Sequence, residues 1–433
     1  MLSRADKIFI ALIGAGLMSI YVGAVSMYLW LGLMLVRLFM LNRVELGIFS
    51  LLFGSSLFGR MFASDQLVVV LTTGFLILGY ILLRKEIVRT VVRNKVSWLV
   101  FGLLLFYFVV MYLLGPMNSY ATGKIARLVV RGITWLLMFQ IYVQSKNVNN
   151  NHFAILLGLL AIFYLSQSYL IYNVRPSGWF DVSFFREIAQ GREAREAENF
   201  WANTHTLGYL ATGAMVFLVM SEKIDIKSIW FLLFATTLLF VVITSGTRQV
   251  MIAFPLIIAT RILIKDNKLL KNGLIAVVCV CVASLGILFS GSSAIEKSLQ
   301  GSDVTETLNR DVSMPFEVIK VNPIIGVGFG GYPEYADKNY PHNLFLEIAA
   351  EFGVLGSIFM LAMVVVSVWA SRISVRYKTV NGSYFILFLL LFLLKSIISG
   401  DLSSNVVLFA ITLSFVNLQR HTQSILNVHA AAG

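Results

Sequence analysis

Cysteine and proline are nearly missing from this 433-residue chain, which has two of the first and seven of the second. The cysteines, Cys279 and Cys281, share one apolar run. Two residues apart on a helix they point to different sides, which excludes a disulfide framework and a thiolate metal site there. With so few prolines, long apolar stretches are free to form unbroken helix. Charge is scarce as well: Asp, Glu, Lys and Arg are 13% of the residues, against about one quarter in soluble domains. That scarcity excludes a soluble enzyme and a disordered chain. The chain also lacks a GxxxxGK[ST] phosphate loop and an Asp-x-Asp pair for a nucleotide-sugar diphosphate. No cluster of His, Cys, Asp and Glu has metal-ligand spacing. We therefore expect no cofactor and no metal, and any donor has to arrive already activated.

What is present is apolar. Hydrophobic residues make up 58%, with 33 Phe and 16 Tyr, and the mean hydropathy is +0.82. Apolar runs of about 17–20 residues, enough to cross ~30 Å of hydrocarbon, recur along the chain. They include 96–115, 128–144, 206–220, 228–244, 250–264, 354–370, 383–398 and 405–418. None alternates with the period of two that marks a membrane barrel. The expected fold is all-α: a polytopic membrane protein with 12–14 transmembrane helices and two large periplasmic loops. The first apolar stretch, behind Arg4 and Lys7, reads as a retained helix and not a cleaved leader.

The net charge of +12 would suit nucleic acid, but its distribution points to topology. With basic residues marking the cytoplasm, cytoplasmic segments hold 20 Lys and Arg against 6 acids. The opposite side holds 14 against 16. Clusters such as Arg84, Lys85, Arg89, Arg93 and Lys95 are then membrane-flanking anchors, and no nucleic acid is expected as a partner. Both termini fall in the cytoplasm. The expected organisation is an N-terminal transmembrane bundle (1–172), a first periplasmic loop (173–205) and further helices (206–289). A large periplasmic loop (290–343) and C-terminal helices (344–433) follow. Chemically rich loops on one side only place the function there.

Among five histidines, His152, His421 and His429 lie in polar turns or the tail and read as solvated, and His205 ends the first large loop. His342 stands out. It ends the second loop in PHNLFLEIAAEFGVLG, where Leu344, Ile348, Phe352 and Leu355 recur at helical spacing. His342 and Asn343 thus fall at a helix start, where free N–H groups and the dipole favour an anion. The glycine-rich GVGFGGY run just before (Gly326, Gly328, Gly330, Gly331) lets backbone approach a ligand closely. Arg248 is the second outlier. It sits in ITSGTRQVMIAF, a short polar break between two apolar runs, at a depth where a charge costs about 2.5–3.5 kcal/mol unless something accepts it. Lys395 and Asp401, in LLKSIISGDLSS, read as mutual partners. Arg310 falls beside an expected short helix of the second loop. In the first loop REAREAE reads as a solvated helix with i,i+3 pairs, and Arg195 within it is the candidate for a sugar or phosphate contact.

His-Asn, nine residues, then Gly-x-x-Gly, preceded by NPIIGVGFGGY and by an SGTR turn, resembles the O-antigen ligase/polymerase superfamily over about residues 240–370. The resemblance implies a type-C-like glycosyltransferase of the bacterial inner membrane with a periplasmic active site. It implies undecaprenyl-diphosphate-linked oligosaccharides as substrates, with membrane lipids, a flippase and a chain-length regulator as partners. It further implies His342 as general base, Arg248 as a diphosphate ligand and, on a looser match, Arg310 as a substrate-binding residue; Asn343 and Arg195 complete the candidate substrate-binding residues. Three readings stay open. A polymerase would extend a lipid-linked repeat unit, a ligase would pass the glycan to lipid A–core, and a transporter or flippase would catalyse nothing.

Overall fold

The computed structural model describes residues 83–144, 204–220, 229–244, 248–265, 313–336, 338–376, 382–398 and 401–414, with single positions at 77, 79–81, 154, 157, 158 and 161. The earliest spans, Cys279, Cys281, Arg195 and Arg310 lie outside the described residues. Those described are helical, with no strand among them.

The chain divides into two compact units. The first takes Met1–Arg84, Asn147–Ala259 and Gly273–Glu296. Its described helices are α4 (Thr204–Met220), α5 (Ile229–Thr244) and most of α6 (Arg248–Lys265). They are apolar on every side and pack through small-to-large contacts. Gly158, for example, lies directly against Phe234 and Leu238.

The second unit takes Lys85–Lys146, Thr260–Asn272 and Lys297–Gly433. It holds α1 (Arg84–Arg93), α2 (Lys95–Leu113), α3 (Ser119–Gln144), α7 (Met314–Val321), α8 (Leu344–Arg376) and α9 (Gly382–Ile398), with α10 (Leu402–Ser414) after them. Three of these, α2, α3 and α8, are long and apolar enough to cross a membrane. Their outer faces carry exposed Leu99, Leu103 and Phe106 on α2 and Leu355, Ile358 and Leu361 on α8. A soluble helix would turn polar side chains outward there; these faces suit lipid.

Helix α3 is the centre of this unit, buried almost continuously from Thr134 to Tyr142. Trp135 and Phe139 meet Phe392 and Phe388 of α9 at 5.9 and 5.6 Å between ring centroids. On the other side Phe108 of α2 contacts Phe352 of α8 at 5.3 Å and Phe409 of α10 at 6.4 Å. Such aromatics each contribute large apolar area plus favoured ring geometry. Two polar ties fix the helix registers: Trp98 Nε1 donates to Gln140 Oε1 at 3.0 Å, and Ser97 Oγ to the Leu413 carbonyl at 2.9 Å.

One boundary differs from the sequence reading. Helix α3 begins at Ser119, not near 128, because Asn118 caps it by accepting from Ala121 N–H at 2.7 Å. That extra length brings Lys124 and Arg127 into the helix. Helix α8 begins at Leu344, where the spacing from His342–Asn343 placed a helix start, and breaks at Gly353 (φ 61°, ψ −154°), just ahead of the expected span 354–370.

Candidate functional site

Among the described residues, the ion pairs of the second unit that include a buried side chain gather at one end of its bundle, where α2 ends, α3 and α8 begin and α9 gives way to α10. The glycine-rich segment organises this end. At the Gly353 break α8 loses its own ladder, and residues 323–328 replace it. Val327 N–H donates to the Ala350 carbonyl at 2.9 Å and Gly328 N–H to that of Glu351 at 3.0 Å. Val354 N–H donates back to the Pro323 carbonyl at 2.9 Å. A Cβ at Gly353 would run into the Ile324 carbonyl, and one at Gly326 into the Glu351 backbone, both with positive φ. Broken helices survive at membrane depth when other protein groups satisfy the freed backbone. This corrects the expectation that these glycines make room for a lipid head group: the room is filled by the chain's own backbone. Phe329 N–H reaches the Met111 carbonyl at 3.2 Å, and Asn118 Nδ2 donates to Glu334 Oε1 at 2.8 Å. The segment is thereby tied to α2 and α3 as well.

Beside it lies a sealed ionic cluster. Lys124 Nζ of α3 sits 2.5 Å from Glu347 Oε1 and 2.7 and 2.6 Å from the two oxygens of Glu351. All three side chains are 0% exposed. Glu347 and Glu351 are four apart on α8, so both carboxylates face one ammonium.

A second, open cluster follows along the same face of α3. Arg127 Nη2 is 3.7 Å from Asp401 Oδ2 and remains 47% exposed. Arg131 lies within electrostatic reach of both Asp401 and Arg127. Lys395 Nζ donates to the Ser404 carbonyl at 2.9 Å, next to Asp401 and not directly onto it. Asp401 itself accepts from Ser403 Oγ at 2.9 and 3.0 Å and from Ser404 N–H at 2.9 Å. Burial works against its charge, but Lys124 and these donors outweigh burial and hold the carboxyl below its ordinary range. Arg127, Arg131 and Lys395 therefore surround one carboxylate.

His342 stands at the mouth of α8, with its ring edge-on to Tyr340 at 4.9 Å and 66°. Asn343 caps the helix, its Oδ1 accepting from Phe345 N–H at 2.9 Å and Leu346 N–H at 3.2 Å. Two of the N–H groups expected to attract an anion are thus occupied by Asn343. Tyr340 lies within reach of Asp401, Glu347 and Arg127; burial first, then the two acids, push its phenol pKa up while Arg127 opposes them. Arg248 opens α6, and it belongs to the first unit while His342 belongs to the second. Sequence reasoning missed Lys124, Arg127 and Arg131. The signal was there, as charges at i, i+3 and i+7, but the helix start was read too late to include Lys124 and Arg127, and Arg131 alone in the expected span showed no pattern. Among the described residues no three His, Cys, Asp or Glu group as metal ligands.

This is a helical membrane protein with its polar groups concentrated at one end of a bundle. Residues 231–361 match the family model described as O-antigen ligase, so that segment is similar to the O-antigen ligase/polymerase superfamily, and the similarity supports a ligase- or polymerase-type activity in general. The match runs from α5 into α8 and takes in the SGTR turn, the glycine-rich segment and the His-Asn start. No curated protein matches the chain.

Proposed function

We propose that the chain is a glycosyltransferase of the bacterial inner membrane that moves a glycan from undecaprenyl diphosphate onto a new lipid-linked repeat unit. Its reaction centre faces the periplasm. One observation carries this reading. The His342–Tyr340 ring pair lies in the same compact unit as a cluster with two more cations than anions, of which Arg127 is half-exposed. His342 takes the proton of the acceptor hydroxyl as that oxygen attacks the anomeric carbon. The bond from that carbon to the diphosphate breaks, and the diphosphate leaves with the electron pair. Arg127 and Arg131 receive its charge, because guanidinium is permanently cationic and forked. Arg248, Arg310, Asn343 and Arg195 are the further residues proposed to bind substrate.

Purified protein with lipid-linked repeat units, without nucleotide and with excess EDTA, tests this. Wild type extends the chain; His342→Ala loses about 10²–10⁴-fold while still binding donor. Near-normal extension by His342→Ala removes the base, and loss of wild-type activity in EDTA calls for a metal. The family description itself, O-antigen ligase, favours a second reading in which lipid A–core is the acceptor. Supplying both acceptors in one reaction separates the two. Cysteines placed at Ser183 and Ser302 should react with a membrane-impermeant thiol reagent in spheroplasts; protection of both reverses the orientation.

A further inference from the structure

We propose that Tyr340 is the positioning residue of His342: its ring fixes the plane of the imidazole. The inference rests on the reading of His342 as general base. Three observations carry it. First, the two rings meet at 4.9 Å and 66°, a contact geometry aromatic pairs prefer. Second, the residue between them is Pro341, which is buried. Its ring fixes its own φ and restricts the backbone of Tyr340. Third, Asn343 N–H donates to the Pro341 carbonyl, and Asn343 Oδ1 caps α8. Backbone and rings therefore hold the two side chains in one arrangement.

A histidine on the turn before a helix would otherwise rotate about two side-chain torsions. A general base has to stand within hydrogen-bond reach of the proton it takes. Tyr340 removes that freedom without taking part in the proton transfer.

The test compares Tyr340→Phe, Tyr340→Leu and His342→Ala as purified full-length proteins, reading kcat, acceptor KM, melting temperature and the pH–rate profile. Phe keeps the ring and should stay within about two-fold of wild type in kcat. Leu should lose about 10–100-fold in kcat with acceptor KM unchanged, the size expected of a misplaced catalytic group. Tyr340→Met, flexible and of similar volume, repeats the measurement if Leu lowers the folded yield. Wild-type kcat in the Leu and Met variants overturns the proposal, and so does a Phe variant as impaired as Leu. Full activity of His342→Ala overturns the base assignment itself. Inactive His342→Ala beside unimpaired Tyr340→Leu overturns only the positioning role.

Discussion

Helix α3 carries two kinds of charge within seven residues. Lys124 is 0% exposed and clamped between Glu347 and Glu351, whereas Arg127 is 47% exposed and meets Asp401 only at 3.7 Å. The sealed cluster is committed to the protein by its ion pairs: Lys124 links α3 to α8 directly beside the Gly353 break. Opening it would strand charge in a low-dielectric interior. The open cluster is different. Its carboxylate is buried, but Arg127 is half-exposed and meets it only at 3.7 Å; so long a contact contributes little to stability, which lets Arg127 exchange partners with an incoming anion. The lesson is that depth decides role. The same helix face spends its buried lysine on architecture and leaves its arginines for a ligand.

The comparison breaks most visibly at Lys124. Lys124→Met would orphan two buried carboxylates, at about 3–5 kcal/mol, a large part of typical total stability. Folded yield in detergent should collapse. Adding Glu347→Gln and Glu351→Gln to Lys124→Met should restore much of it, because no charge is then stranded. A Lys124→Met protein of normal yield would contradict the architectural role. Next in size is Gly353→Ala, which forces a side chain into positive φ and against the Ile324 carbonyl. About 1–3 kcal/mol of strain should appear as a lowered melting temperature. Gly102→Ala is the matched control, since nothing lies within 4 Å of its Cβ position, and it should hold or raise stability.

Much of this layout was legible in the sequence. Composition and run length announce a helical membrane protein, and the expected spans at 96–115, 206–220, 228–244 and 250–264 match α2, α4, α5 and α6 within two residues. His342 at a helix start was readable from the Leu344–Ile348–Phe352 spacing. The replacement of the α8 ladder by residues 323–328 was not, because a hydrogen bond between distant backbone groups leaves no mark on local pattern. Gly353 showed only as part of a motif. The early start of α3 was hidden because Lys124 and Arg127 look like loop charges until Glu347, Glu351 and Asp401 are placed opposite them.

On the open side the expected effects are functional. Arg127→Met and Arg131→Met should each raise the donor KM while leaving yield and melting temperature unchanged, and Arg127→Lys should recover only part of the loss, because an ammonium lacks the fork. The smallest effect concerns Asp401. Its carboxyl is held below the ordinary range, so its charge contributes stability above its unfolded pKa, and that contribution disappears as pH falls through the lowered folded value. Wild type should therefore melt slightly higher than Asp401→Asn near neutrality. The gap should close only below the usual carboxylate range; a gap that closes nearer neutrality would remove the depressed pKa.

The most direct measurement is the affinity of detergent-solubilised protein for undecaprenyl diphosphate, comparing wild type with the double variant Arg127→Met/Arg131→Met. The account predicts a normally folded double variant that binds at least about ten-fold more weakly, a loss of roughly 1.4 kcal/mol or more. A folded double variant with wild-type affinity would contradict it and leave Arg127 and Arg131 without the role assigned to them.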